Sequence, residues 1–276
     1  MSEAPWATMD RAEISAAYDN AGSVADSQAR LAAWRQRSAA TRARDGALLD
    51  LAYGDRPRNR IDLFLCGRRD APLLLFFHGG YWQRNAKEGF ACMAEGPLAL
   101  GLDVALAGYT LCPEVSMSDL VAEARAAVAW LAANARAHGV AMSRLVLAGW
   151  SAGAHLALSC ADHPAVEAAL LVSGVYDLEP IRRGALNDAL RMDESEAFRL
   201  SPLRHIAPSR VRLVVAWGGR ELPELRRQSA DFAAAWRAAG NDAAILPLED
   251  EDHFSILETL ASPTGALARA AADLAG

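Results

Sequence analysis

Ser151 has a glycine two positions away on either side, in the segment GWSAG at 149–153, which matches the pattern GxSxG. The segment follows the apolar run LVLA and precedes SAGAHLALSC, which is typical of a helix. In a strand-to-helix turn of this kind the serine projects from the end of a strand, and larger flanking side chains would collide with neighbouring backbone. The pattern therefore predicts that Ser151 is the nucleophile of an acyl-transfer enzyme.

A pair of glycines follows the apolar run LLLFF, in the segment HGGYW at 78–82. Acyl transfer needs hydrogen-bond donors for the oxygen that becomes negative in the tetrahedral intermediate, and a glycine-rich turn can supply backbone N–H groups. We predict that Gly80, Tyr81 and Ala152 provide these donors, the last with help from the dipole of its helix. An ordinary turn with paired glycines is the alternative. His78 is expected to be a structural hydrogen bonder.

A histidine must take the proton of the serine, and the position of His253 fits this role. It lies in the segment LEDEDHF, predicted to be a loop between the last strand and the last helix. His155 would point along the helix after Ser151, so we expect it to pack there.

The acid that orients the histidine should lie between the serine and the histidine in the chain, in a loop after a strand. Glu221 follows the run VRLVVAWGG after one residue, Arg220, and would hold one tautomer of His253 and offset the charge of its imidazolium form. Glu224 is the alternative acid.

The elements that must hold these residues alternate between strands and helices. Apolar runs of strand length are separated by helical segments of about a dozen residues, which favours right-handed crossovers and a mainly parallel sheet with helices on both faces. Two partly alternating runs, at 48–54 and 60–66, favour an antiparallel edge pair. The later predicted strands are 72–77, 102–107, 145–148, 168–175, 211–217 and 243–248, and the predicted helices are 87–100, 117–138, 151–161, 223–239 and 254–276.

Two segments fall outside this alternation. Residues 1–45 are polar and rich in alanine, so we expect a helical N-terminal extension. Its spaced apolar anchors are Tyr18, Val24, Leu31 and Trp34. The mixed segment at 177–206 is too long for a plain loop, and we expect a lid or a wall of the substrate site. Since no linker or repeat divides the chain, we predict one domain over 1–276.

Composition excludes several classes of protein. With 52% hydrophobic and 22% charged residues, the chain is typical of a globular protein, and a net charge of −6 provides no basic field for nucleic acid. No GxGxxG follows the first strand of a βαβ unit, which argues against a dinucleotide-binding fold. We expect a small-molecule substrate, no cofactor, no metal and no membrane partner; a homodimer is compatible with the sequence.

Four cysteines without CxxC spacing, namely Cys66, Cys92, Cys112 and Cys160, indicate neither a zinc site nor a disulfide framework. The first 20 residues lack the basic segment and apolar run of a signal peptide, and no apolar run approaches the roughly 18 residues that would span a bilayer. We therefore expect a cytoplasmic location.

Several segments together resemble the arylformamidases, also called kynurenine formamidases, of the α/β-hydrolase superfamily: HGGYW, GWSAG, SGVYDLEPI, LNDALRMDESEAFRLSP, ELPELRRQS and DHFSILE. The first two are shared with esterases and lipases in general, whereas the others are more specific. The resemblance covers about residues 18–260 and implies an α/β-hydrolase fold with Ser151, Glu221 and His253 as the triad. It also implies hydrolysis of an N-formyl aryl amide, with N-formylkynurenine giving formate and kynurenine in tryptophan degradation.

The aromatic residues beside the serine are consistent with this substrate. A formyl group is small, so the bulk of Trp150 and Tyr81 is compatible with a shallow acyl site, and Trp82 is a candidate to face the aromatic ring. Core packing is the alternative for each of them. A carboxylesterase or thioesterase for short-chain acyl esters is the alternative function, and a non-catalytic binding protein on the same scaffold is the alternative of another class.

Overall fold

An eight-stranded sheet runs through the centre of the protein in a computed structural model that describes residues 4–276. The strands are β1 (Leu48–Ala52), β2 (Arg60–Phe64), β3 (Leu73–Phe77), β4 (Asp103–Ala107), β5 (Leu145–Trp150), β6 (Val166–Val172), β7 (Arg212–Gly218) and β8 (Ala243–Leu248). Their spatial order is β1-β2-β4-β3-β5-β6-β7-β8. Strand β2 is antiparallel to both β1 and β4, and the other neighbours are parallel. The predicted mainly parallel sheet is confirmed.

Helices connect the parallel strands and cover both faces of the sheet. They are α1 (Arg11–Ala17), α2 (Ser27–Arg42), α3 (Glu95–Ala99), α4 (Met117–Asn134), α5 (Ala152–Ser159), α6 (Glu179–Arg183), α7 (Asn187–Leu190), α8 (Glu194–Arg199), α9 (Pro223–Ala238), α10 (Glu258–Ala261) and α11 (Ala266–Ala275). Short 3-10 helices occur at Pro5–Thr8, Lys87–Ala94, Ala135–His138, Pro202–Arg204 and Ser255–Leu257. Among residues 4–276, no helix combines the length and the hydropathy needed to cross a membrane.

Three of the predicted helices change type along their length, and one of them is 117–138, which is α4 followed by a 3-10 helix. The segment predicted as one helix at 87–100 is a 3-10 helix followed by α3. The last predicted helix consists of a 3-10 turn, α10 and α11. Pro263 lies between α10 and α11, and a proline cannot donate the backbone hydrogen bond that would continue the first of these helices.

The central strands are buried on both sides, as a sheet between two helical layers requires. Side chains of β3 alternate between the layers: Leu75 and Phe77 belong to one core cluster, whereas Leu74 and Phe76 belong to the other. The predicted apolar run therefore fills two cores at once. Ser151 follows β5 in the middle of this sheet.

The N-terminal segment packs on the rest of the protein through its aromatic residues. Residues 1–3 of the predicted extension lie outside the described residues, and the rest contains α1 and α2. Trp34 is fully buried, and its indole N–H donates to the Glu258 carboxylate at 2.5 Å. Arg37 donates to the same carboxylate at 2.7 Å. These contacts fix α2 to α10 and bring the segment before α2 over the end of the sheet.

Candidate active site

Ser151 occupies the turn between β5 and α5 with φ 57° and ψ −121°, a conformation that side-chain-bearing residues rarely adopt. A Cβ atom on Gly149 would lie 2.1 Å from the carbonyl oxygen of Gly153, and one on Gly153 would lie 2.0 Å from that of Phe77. Neither site can hold a larger residue without moving backbone, so the two glycines allow the turn. The strained turn presents Ser151 at the carboxyl end of a buried strand.

A cavity of about 540 Å³ opens above this turn. Ser151 and His253 both line it, and both are almost completely buried. Tyr18 and Asn20 from the N-terminal segment form part of its wall, as does Leu186 from the segment at 177–206. That this latter segment acts as a lid stays a prediction.

Glu221 reaches the other side of the His253 ring. The Nδ1–H group of His253 donates to Glu221 Oε2 at 3.3 Å. The second carboxylate oxygen, Oε1, accepts hydrogen bonds from Ser173 Oγ at 2.5 Å and from the backbone N–H of Gly218 at 2.7 Å. The Glu221 side chain has no exposed area, so both oxygens of this buried carboxylate are satisfied by protein donors.

The backbone of His253 is also fixed. Its carbonyl oxygen accepts the indole N–H of Trp150 at 2.9 Å, and the two rings lie 5.0 Å apart. The loop continues with Asp252 Oδ1 accepting the N–H groups of Phe254 and Ser255. The histidine is therefore held through both its side chain and its main chain.

Glu224, the alternative acid, has other partners. It lies in the first turn of α9, where Arg227 donates to it at 2.8 Å. The Tyr18 hydroxyl also donates to Glu224, at 3.2 Å. Of the two candidate acids, the structure brings Glu221 to His253.

The three predicted oxyanion donors have free backbone N–H groups. Within residues 4–276, the N–H groups of Gly80, Tyr81 and Ala152 donate no hydrogen bond to protein. The turn that carries the first two is tight, because the Gly80 carbonyl accepts hydrogen bonds from the N–H groups of Gln83 and Arg84. Both Gly80 and Tyr81 line the cavity of Ser151. Their role toward a substrate stays a prediction.

The two tryptophans named as candidate substrate contacts have different positions. Trp150 lines the cavity. Trp82 has no exposed surface and packs edge-on against His155, with ring centroids 5.2 Å apart. The structure places Trp82 in the core below the turn and not in the lining of the cavity.

The histidines expected to be structural are deeply buried. His78 is stacked between Phe90 and Tyr109, and burial lowers the pKa of its ring to about 4. Burial likewise lowers the pKa of His155 to about 4, and its Nε2–H group donates to the carbonyl oxygen of Leu200 at 2.8 Å. Both rings are therefore neutral at neutral pH, and neither lies in the cavity.

Asn20 is a site residue that the sequence did not indicate. Its Nδ2 atom donates to His253 Nε2 at 3.2 Å and to the Tyr81 hydroxyl oxygen at 2.9 Å. Among the described residues, no hydrogen bond joins Ser151 Oγ to His253. The only sequence signal was a polar residue soon after the anchor Tyr18, which is too common a pattern to point to an active site.

A mainly parallel sheet with a strained serine turn, and a histidine and an acid on later loops, defines the α/β-hydrolase class. The family model BD-FAE matches residues 61–169. Kynurenine formamidase of Danio rerio is 32% identical over 92% of this chain and 93% of its own. That of Salmo salar is 33% identical over 77% of this chain and 76% of its own. The chain belongs to the kynurenine formamidase family, as the sequence motifs predicted.

A solved structure is also similar over nearly the whole chain. A candidate thioesterase from Silicibacter sp. has a TM-score of 0.84 and 30% identity, and the match covers 94% of this chain and 98% of that one. Together these likenesses establish the protein as a hydrolase of the formamidase and esterase group.

Proposed function

We propose that the protein hydrolyses N-formylkynurenine to kynurenine and formate, with Ser151 as nucleophile, His253 as base and acid, and Glu221 as the residue that orients His253. One observation carries the proposal: His253 lies between the buried Glu221 carboxylate and the cavity that Ser151 lines. Membership of the kynurenine formamidase family supports the choice of substrate.

In the first half of the reaction, Ser151 Oγ attacks the formyl carbon while its proton passes to Nε2 of His253. The formyl oxygen becomes negative, and the unoccupied N–H groups of Gly80, Tyr81 and Ala152 are the donors we propose for it. An arylamine anion is a poor leaving group, so His253 returns the proton to the amine nitrogen as the C–N bond breaks.

In the second half, water attacks the formyl ester of Ser151 and gives its proton to His253. The ester C–O bond then breaks, His253 returns the proton to Ser151 Oγ, and formate leaves. Glu221 stabilises the imidazolium form of His253 without taking its proton. With water as the second substrate, both half-reactions balance in atoms and protons.

Hydrolysis of short acyl esters or thioesters is the second candidate, favoured by the likeness to the candidate thioesterase structure. The same residues would act on an ester, so the two candidate functions differ only in the acyl group and the leaving group that the site prefers. Kinetics with substrates that differ in these groups distinguish the two functions. We expect a higher kcat/KM for N-formylkynurenine than for p-nitrophenyl acetate. Among p-nitrophenyl esters, activity should decline from acetate to butyrate and octanoate. A butyrate or octanoate ester with a higher kcat/KM than N-formylkynurenine would replace the formamidase proposal by the esterase one.

We also propose a cytoplasmic location, which is supported by the four cysteines that form no disulfide in the described part of the chain. The single-domain organisation and the homodimer stay predictions.

A further inference from the structure

We propose that Asn20 is a positioning residue for His253: its side-chain amide donates to Nε2 and favours the tautomer in which this nitrogen carries no proton. The proposal rests on the proposed function, since it takes His253 as the base. It adds a residue from the N-terminal segment to a site otherwise built by loops at the ends of strands. Asn20 is 4% exposed, so its contacts are made inside the protein.

The orientation of the Asn20 amide follows from its neighbours. The Tyr81 hydroxyl donates to the carbonyl oxygen of Tyr18 at 2.9 Å, and burial, followed by the charge on nearby groups, raises the pKa of Tyr81 so that it stays protonated. Its oxygen can then only accept from Asn20, which requires the NH₂ group on that side. The second hydrogen of the same nitrogen faces His253 Nε2. Asn20 Oδ1 is buried without a partner among the described residues.

A network behind Asn20 keeps it in place. The Tyr18 hydroxyl donates to Glu224 and accepts a hydrogen bond from Gln228 at 3.0 Å. Gln228 is fully buried and also bonds the backbone N–H and carbonyl groups of Asp177. Glu224 and Gln228, both in the segment PELRRQS, thus hold the N-terminal segment beside the active site.

The contact has a chemical consequence for His253. Its Nε2 atom has one lone pair, so Asn20 N–H and Ser151 O–H cannot both donate to it, and Asn20 must give way when the serine reacts. Until then the amide favours the neutral ring, since a hydrogen bond to the neutral form disfavours protonation. Asn20 therefore holds Nε2 as a hydrogen-bond acceptor, and Nε2 is the atom that must take the proton of Ser151.

Asn20→Ala tests the proposal, with Asn20→Asp as a variant of nearly unchanged shape. Loss of the donor in Asn20→Ala should move the acid limb of kcat/KM upward by about 0.5 to 1 pH unit. Asn20→Asp should move it upward by more than about 1 unit, because a carboxylate favours imidazolium. The midpoint of His253 protonation, followed by NMR and assigned with His253→Asn, should rise in both variants. Asn134→Ala, at the end of α4, is the matched control and should change neither quantity.

Other charged and titratable groups near the ring are the same in all these proteins. Glu221 is bonded to the ring, and Asp252 lies on the histidine loop. The others line the cavity, namely Tyr18, Asp19, Arg35, Tyr81 and Arg84. The proposal would be overturned if the variants lost activity equally at every pH while the midpoint pH of His253 protonation stayed the same. Asn20 would then only form part of the cavity wall. The NMR midpoint needs no turnover, so it is readable even if N-formylkynurenine is not the substrate.

Discussion

The indole N–H of Trp150 donates to the carbonyl oxygen of His253 at 2.9 Å, so the residue before the proposed nucleophile holds the loop of the proposed base. Trp150→Phe keeps an aromatic ring but removes this donor. We expect kcat to fall about 3- to 10-fold with the fold retained, which corresponds to one hydrogen bond. Steady-state kinetics and circular dichroism measure the two effects.

Trp82→Phe is the matched control for that substitution. The indole N–H of Trp82 is buried and has no partner among the described residues, so its removal breaks no hydrogen bond. We expect nearly unchanged kcat. If Trp82→Phe costs as much activity as Trp150→Phe, the link between Trp150 and His253 does not explain the loss.

Ser151→Ala should lose on the order of 10³-fold or more in kcat while staying folded, because the covalent route is removed and only binding and oxyanion donors remain. A serine-directed phosphonate should label wild-type protein at Ser151 alone, as identified by peptide mass spectrometry. Turnover close to that of wild type in the variant would end the triad assignment.

Glu221→Gln should lower kcat by roughly 10² to 10⁴ by analogy with other triads, since His253 loses its anionic partner. Without that partner the imidazolium form is less stable, so the residual activity should persist to lower pH. Glu224→Gln, which removes the charge bound by Arg227 instead, should cost less than about 10-fold. The reverse order of losses would make Glu224 the acid.

The free energy of unfolding should fall as the pH drops from about 6.5 toward 4. Burial lowers the pKa of His78 and of His155 from 6.5 to about 4. The unfolded chain therefore binds protons in this range that the folded chain does not, and acid favours unfolding. For each of these histidines the contribution between pH 7 and pH 5 is about 2 kcal/mol.

Denaturant unfolding of wild-type protein and of His155→Gln at pH 7 and pH 5 measures this pH dependence of the free energy of unfolding. The variant can still donate a hydrogen bond toward Leu200, but it has no group that titrates there, so its stability should change less with pH. His205→Gln, at an exposed position, serves as the control and should keep the wild-type dependence. Equal pH dependence in all three proteins would contradict the assignment of a low pKa to His155.

The sheet and the serine turn were predictable because each has a strong local signal. Apolar runs bounded by helical segments predict a parallel sheet, and the close approach around Gly149 and Gly153 leaves only glycine at those two positions. The choice of Glu221 followed from chain order and from its place after β7. Its preference over Glu224 required the structure, because both acids lie within one turn of the same helix start.

The positions of Trp82 and Asn20 were not predictable for two different reasons. Tyr81 and Trp82 both adopt positive φ angles, 49° and 58°, so the alternation of side chains that holds in β3 does not continue past it. Asn20 contacts His253, which lies 233 residues later in the sequence. This contact depends on how α2 packs against α10, and no periodic pattern in the sequence indicates that packing.

That distance along the chain also sets the order in which the residues of the proposed site are made during synthesis. A protein emerges from the ribosome with its N-terminus first, so Tyr18 and Asn20 are made before Glu224 and His253, the residues that they contact. The loop of His253 and the Glu258 carboxylate that binds Trp34 and Arg37 are translated more than 200 residues later. A nascent chain stopped before His253 contains Ser151 but lacks the proposed base, so we expect no hydrolysis until the loop of His253 has been made.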